Sequence, residues 1–263
     1  MGPLLSYKAD SEPGTAVHVT FHTGHVCLGQ VEYGATSALG SLAQEGQQAR
    51  AHKVLLSGLT PGSTWYYRVS CVGAGTSPVF SFHTPSANAS QLTFAVVSDT
   101  QDDGERGVWS RTAGELAMNH PDVELILAAG DLVWADEPGL WWTFFDKGRD
   151  LFASRALMAA VGNHDTPTFG SNPDTSSFES WFDYDGAPTA PLAYRFRFGP
   201  ALFLALGTEH PGEARPAYRS AIRLRAAGAA GPGRCDLGLR LLAHPALQRG
   251  GATLRRDSGS PAT

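Results

Sequence analysis

The stretch Phe94-Ala-Val-Val-Ser-Asp-Thr-Gln-Asp-Asp-Gly104 decides the fold. An apolar run with no alternation suits a strand buried on both faces. It stops at Asp99, and polar, turn-forming residues follow. The same event recurs twice downstream. Val123-Glu-Leu-Ile-Leu-Ala-Ala-Gly-Asp131 is a second apolar run ending in a carboxylate, and Ala156-Leu-Met-Ala-Ala-Val-Gly-Asn-His-Asp165 is a third with a polar end. Between them, residues 106–120 and 139–153 have the composition of helices. Asp99 to Asp131 and Asp131 to Asn163 are both 32 residues apart, close to the ~30 or more residues of a βαβ unit. Right-handed crossovers return each strand parallel to its predecessor. Asp99, Asp131 and Asn163 are therefore expected at one edge of one sheet, where open α/β sheets bind ligands.

Two carboxylates, a carboxamide and the imidazole of His164 at one edge suit hard or borderline divalent metals. Asp131 has two oxygens with which to bridge a pair of ions about 3.5–4 Å apart. Asn163 ligates without adding charge. The competing reading of these motifs is a turn at residues 162–165 and a helix cap at Asp131.

Upstream the pattern differs. Val17, Val19 and Phe21 alternate in the strand period, and 26–34, 52–73 and 78–84 read as further strands with Gly and Pro punctuation. This predicts a β-sandwich over residues 1–86. Residues 84–90 read as a linker and 91–210 as the α/β domain, with two more strands joined at Gly199-Pro200. Trp65, Tyr66 and Tyr67 are assigned to packing, and so are Trp141, Trp142, Phe144 and Phe145, part of which can also rim a pocket. Cys27 and Cys71 either pair across the sandwich or remain two buried thiols. His18, His22, His25, His52, His83 and His120 are scattered, and no metal role is assigned to them.

Charge is uneven. Residues 211–263 hold nine arginines, no lysine and three acidic residues, whereas the rest holds eleven basic and twenty-two acidic ones. An acidic body disfavours nucleic acid as the main partner. No apolar run approaches the ~20 residues of a membrane span, so no membrane partner is expected. The N-terminus lacks a basic region followed by a long apolar one, so no signal peptide is read, and the compartment stays open.

The sandwich stretch "LSGLTPGSTWYYRV" (56–69) resembles a fibronectin type III signature. "GDLVWAD" (130–136) followed by "GNHD" (162–165), after a strand-terminal Asp, resembles the calcineurin-like metallophosphoesterases. The leading sandwich, with "GPLL", "VEYG" and "FLALGTEH", narrows the resemblance to the purple acid phosphatase-like branch. The resemblance implies an N-terminal β-sandwich (fibronectin type III-like) followed by an α/β metallophosphoesterase domain with mixed β-sheets flanked by helices. It also implies two metal ions (Fe, Mn or Zn) and a small-molecule phosphate ester as substrate, attacked by a metal-bound hydroxide. By position, Asp99 ligates the first metal, Asp131 bridges both and Asn163 holds the second. His164 contacts phosphate and assists the leaving alkoxide, and Asp165 orients His164.

The sequence also departs from that pattern. Trp134 stands where purple members carry a metal-bound tyrosine, so the purple colour is expected to be absent. Gln101 stands where many other relatives have histidine. It is either a weak ligand or a hydrogen-bonding partner of water or phosphate. The family's Gly-His-x-His motif is missing. His244, in "LRLLAHPAL", is either the remaining imidazole ligand of the second metal or an accident of a segment with foreign composition. That segment, 211–263, reads as a frame-altered or prematurely ended domain, or as a basic tail lying on the acidic body. The expectation is a domain incomplete at its C-terminus with poor metal affinity. A silent relative that works through its sandwich is the rival reading.

Overall fold

Alternating apolar residues commit the N-terminal part to strands, and the computed structural model extends them well beyond the short units expected. It describes residues 2–8, 14–86, 88–89, 91–101, 107–167, 174–182, 184, 192–199, 201–207 and the backbone of 238–243. Strand β1 is Leu4–Ser6 and β2 is Ala16–Gly34. A hairpin links β2 to β3, Ser41–Ser57. β4 (Thr64–Cys71), β5 (Gly75–Thr76) and β6 (Phe80–His83) follow. The two runs read as separate strands before Gly34 are one strand with a register break between His22 and Cys27. Before the break β2 lies between β1 and the end of β3. After it, β2 lies between the start of β3 and β4. Val17, Val19, Phe21, Val31, Val54, Leu56, Tyr67, Val69 and Phe82 are buried as the sandwich core. Cys27 and Cys71 form a disulfide between β2 and β4, which decides between the two readings of these cysteines.

The α/β part begins with β7, Phe94–Val97, followed by α1, Val108–Asn119. β8 is Leu125–Ala128, α2 is Pro138–Lys147, α3 is Arg149–Phe152 and β9 is Ala156–Ala159. The helix expected over 139–153 is thus broken at Gly148, where the helix α2 ends. A short helix α4, Ser176–Trp181, precedes β10 (Ala193–Phe198) and β11 (Ala201–Gly207). β7, β8 and β9 form a parallel sheet in that order, with Val97 opposite Ala128 and Ala128 opposite Ala159. β10 and β11 pair antiparallel, and β12 (Gly238–Ala243) runs parallel to β11. The second sheet is therefore mixed, as expected.

Tyrosines join the two sheets. The Tyr184 hydroxyl accepts the Ala159 N–H at 2.8 Å, and the Tyr194 hydroxyl donates to the Ala159 carbonyl at 2.7 Å. They satisfy backbone groups of β9 that no neighbouring strand takes up, and their rings fill the space between sheets. β7 lies at the edge of its sheet, and Val96 is 49 % exposed. It is not buried on both faces as its composition suggested.

The sandwich packs directly on the α/β part. Tyr7, buried just after β1, donates its N–H to the Met158 sulfur at 3.2 Å and packs edge-on against Phe198. The Tyr67 hydroxyl donates to the Ala153 carbonyl at 2.8 Å. Lys53 donates to the carbonyls of Glu179 and Phe182 beside α4. One hydrophobic cluster consequently runs through both parts.

Candidate metal centre

The in-register sheet puts three chain exits at one edge. Two residues past β7 is Asp99, three past β8 is Asp131, and four past β9 is Asn163. The exits are stitched to each other. The Asp99 N–H donates to the Gly130 carbonyl at 3.3 Å, and the Thr100 N–H donates to the Asp131 carbonyl at 3.1 Å. The Thr100 hydroxyl donates to the Leu132 carbonyl at 3.1 Å. Asp131 Oδ1 accepts the backbone N–H of His164 at 3.1 Å.

Backbone strain collects at the same edge. Among the described residues, three that are not glycine have positive φ, and two of these are Asp99 (50°) and Asp131 (54°). The left-handed region is uncommon for residues with a Cβ, although aspartate tolerates it best. It turns both carboxylates off the ends of their strands.

Gly162 makes the close approach possible. A Cβ there would lie 2.2 Å from the Asp131 nitrogen and 2.3 Å from its Oδ1. Gly162→Ala must therefore push the β9 exit away from the β8 exit. We expect a loss of divalent-metal affinity of about 10–100-fold and ~1–3 kcal/mol of stability. Metal titration by calorimetry and urea unfolding check it, and parental values in both would refute the role.

Asp165 is fully buried, and its carboxylate takes four backbone donors. Oδ2 accepts from Asp131 (3.0 Å) and Gly162 (2.9 Å), and Oδ1 accepts from Leu132 (2.8 Å) and Val133 (3.3 Å). It was expected to orient His164. That imidazole donates a hydrogen bond from Nδ1 to the Trp134 carbonyl at 2.7 Å. A carbonyl only accepts, so Nδ1 carries a proton. Asp165 holds the backbone from which Asp131 and Trp134 project.

Electrostatics fit a cation. Burial pushes the Asp131 carboxyl up, and the nearby Asp99 charge adds to this, while the backbone N–H of His164 pulls it down. Two carboxylates facing one polar edge resist sharing negative charge, and a bound cation removes that resistance. The donor set is oxygen-rich: Asp99 is exposed, with its Oδ2 accepting the Ser98 hydroxyl at 2.6 Å, and Asp131 is nearly buried. The residues present thus fit divalent ions. Trp134 is 63 % exposed, and its ring centroid lies 5.6 Å from that of His164, at the rim. Trp141, Phe144 and Phe145 are core residues, and Trp142 faces the sandwich through His22. His244 lies outside the described residues. Sequence reading missed the Trp134 carbonyl and the four-donor role of Asp165, because neither is carried by residue type or spacing.

Residues 5–84 match the family model of the purple acid phosphatase N-terminal domain. A purple acid phosphatase from yellow lupin (Lupinus luteus) seeds superposes on 79 % of the chain with a TM-score of 0.64 at 16 % identity. Over that span the chain shares the fold of the lupin protein. PhoD superposes on 80 % of the chain with a TM-score of 0.61 at 15 % identity. These matches cover 44 % of the lupin purple acid phosphatase and 52 % of PhoD, so the chain spans about half of each. No curated protein matches the chain in sequence. The family-model match falls within the sandwich expected over residues 1–86, and both superpositions extend beyond it into the α/β part.

Proposed function

We propose that the chain is a phosphohydrolase acting on small phosphate monoesters through two metal ions. Asp99 and Asp131 would hold the first, and Asp131 and Asn163 the second. When bound, the ions would supply Lewis-acid polarisation of the phosphoryl oxygens and a lowered pKa for a coordinated water. His164, its Nδ1–H tied to the Trp134 carbonyl, would act as general acid in its doubly protonated form, giving the Nε2 proton to the leaving oxygen. Asp165 keeps the Asp131 and Gly162 backbone in the geometry this requires. Trp134 has no group able to ligate a metal, so no tyrosinate colour is expected. His244 is proposed as an imidazole ligand of the second ion on sequence alone.

The observation that carries this reading is the stitched edge of β7, β8 and β9, where two strained aspartates and Asn163 share one exit. The test is hydrolysis of a chromogenic phosphate ester by metal-free protein to which Mn²⁺, Zn²⁺ or Fe is returned. Turnover that appears with metal and vanishes with chelator is expected. Failure to take up any of these ions at millimolar concentration would overturn the reading and leave the sandwich as the working module.

A further inference from the structure

The sandwich carries a second group of metal-ligating atoms, in a different sheet from the β7–β9 edge. Its origin is the irregularity in β2. His22 pairs with Ala51 and Cys27 with Ala49, so four residues of β2, 23–26, stand against Arg50 alone. Such bulges re-aim side chains. This one brings the His25 Nε2 to 3.4 Å from the Cys71 sulfur. On the other side, the His52 Nε2 lies 3.6 Å from the Cys27 sulfur and 3.0 Å from the Thr23 hydroxyl. The ligand atoms of His25, Cys27 and Cys71 all fall within 4.8 Å of one another.

Two features go beyond what a disulfide needs. The His52 Nδ1 lies 2.7 Å from Glu45 Oε2, and a carboxylate accepts the ring proton there. That fixes the tautomer with its Nε2 lone pair towards Cys27, the carboxylate–histidine arrangement that supports metal ligands. Gly29 makes room for it, since a Cβ there would lie 2.4 Å from His52 Nδ1 and 2.8 Å from Glu45 Oε2. The distances also suit an ion. With Zn–S of about 2.3 Å and Zn–N of about 2.0–2.1 Å, a tetrahedron has S···N edges of ~3.5 Å and an S···S edge of ~3.8 Å. Two of the four sulfur–nitrogen edges, His25 to Cys71 and His52 to Cys27, already match. The Cα atoms of Cys27 and Cys71 are 5.7 Å apart, a separation from which two thiolates can reach one ion. Access exists too: a cavity of about 670 Å³ between the sandwich and α2–α3 is lined by Thr23, His25 and Cys71.

We propose that the Cys27–Cys71 bridge is one state of a redox-gated site, which in its reduced state binds a thiophilic divalent ion of the zinc type. Cys27, Cys71 and His25 are the ligands, and His52, held by Glu45 beside Cys27 but outside that close group, moves in as the fourth once the S–S bond opens. A dithiol reductant supplies two electrons and two protons. The S–S bond breaks, two thiols form, and the reductant leaves as its own disulfide. Zinc then replaces the two thiol protons, which pass to solvent. Under oxidising conditions a covalent staple joins β2 to β4. Under reducing conditions the ion does so and adds β3.

Cobalt is the probe, in a Cys235→Ser background whose only thiols are Cys27 and Cys71. The reduced protein is expected to bind one Co²⁺ with a thiolate-to-cobalt charge-transfer band that Zn²⁺ displaces, and the oxidised protein is expected to show none. Glu45→Gln should weaken cobalt binding about 10–100-fold, as loss of a partner behind a ligating histidine does. His25→Ala should weaken it at least as much. A reduced protein without the band, or a band unchanged in both variants, overturns the proposal. If either variant fails to fold, alkylation of the reduced parent decides instead. Zn²⁺ must protect Cys27 and Cys71 from alkylation as read by mass spectrometry, and unprotected thiols overturn the proposal.

Discussion

Asp165→Ala is expected to abolish metal-dependent ester hydrolysis and to cost at least ~3 kcal/mol of stability, since each buried donor left unpaired costs ~1–3 kcal/mol. The side chain has no exposure, so water cannot replace the carboxylate. Four N–H groups, from Asp131, Leu132, Val133 and Gly162, would lose their acceptor together. Burial pushes the Asp165 carboxyl up to about 7, while the N–H groups of Gly162 and Leu132 pull the other way. The donors are therefore what makes a buried charge tolerable at this position. Their loss also releases Asp131 from its left-handed backbone conformation, which persists only while its surroundings impose it. Asp165→Asn is the sharper variant. Its single amide oxygen cannot serve donors on both sides, and its NH₂ would face N–H groups. It should keep more of the fold than alanine and still lose metal affinity. Urea unfolding and calorimetric metal titration separate the two effects. An alanine variant with parental values in both would show that Asp165 does not build the site.

Much of the α/β part was legible because its signal is local. Runs such as Leu125–Ala128 are apolar throughout, and they end in chemistry-bearing residues at a fixed interval. The sandwich was less legible. Residues 41–51 carry little apolar alternation, because the first half of β3 is largely exposed, so no strand was read there. The bend of β2 was read as a gap between two strands, since residues 23–26 leave the ladder without ending the strand. At the site, residue types and spacing pointed to the positions that follow the three strand ends. They did not predict which backbone groups hold them, because a hydrogen bond from a main-chain N–H leaves no mark in the residue it comes from. The Asp165 clamp and the Trp134 carbonyl are both of that kind. His25 and His52 were passed over for a related reason: the bulge and Gly29 that bring them to Cys71 and Cys27 become visible only once the strands are paired.

Acidification should weaken the packing between sandwich and α/β part, through His22. Its ring stacks on Trp181 of α4 at 3.7 Å and meets Trp142 of α2 edge-on at 5.6 Å. Burial lowers its pKa to about 4, a hydrogen bond to the Ser180 backbone opposes this, and the positive charge of Lys53 adds to the lowering. The folded state thus binds its proton later than the unfolded state, whose histidine titrates near 6.5. The stabilisation is complete above about pH 6.5 and is lost as pH falls towards 4. A shift of this size is worth ~3 kcal/mol, and solvent around a half-buried ring reduces it to about 2 kcal/mol. Other carboxylates titrate in the same range, so the measurement is a difference. His22→Phe keeps an aromatic ring between Trp181 and Trp142 and cannot charge. Its stability advantage over the parent in urea unfolding should grow by about 2 kcal/mol between pH 7 and pH 4. Parallel pH profiles would show that the ring is not linked to folding. The consequence reaches the candidate metal centre along a visible route. Trp181 packs on Trp141 and Phe145 of α2, and the Trp141 indole donates to Asp136 at 2.7 Å, two residues from Trp134. The Trp134 carbonyl in turn holds His164. Charging His22 therefore acts on the same stack of rings that seats the loop of the proposed general acid.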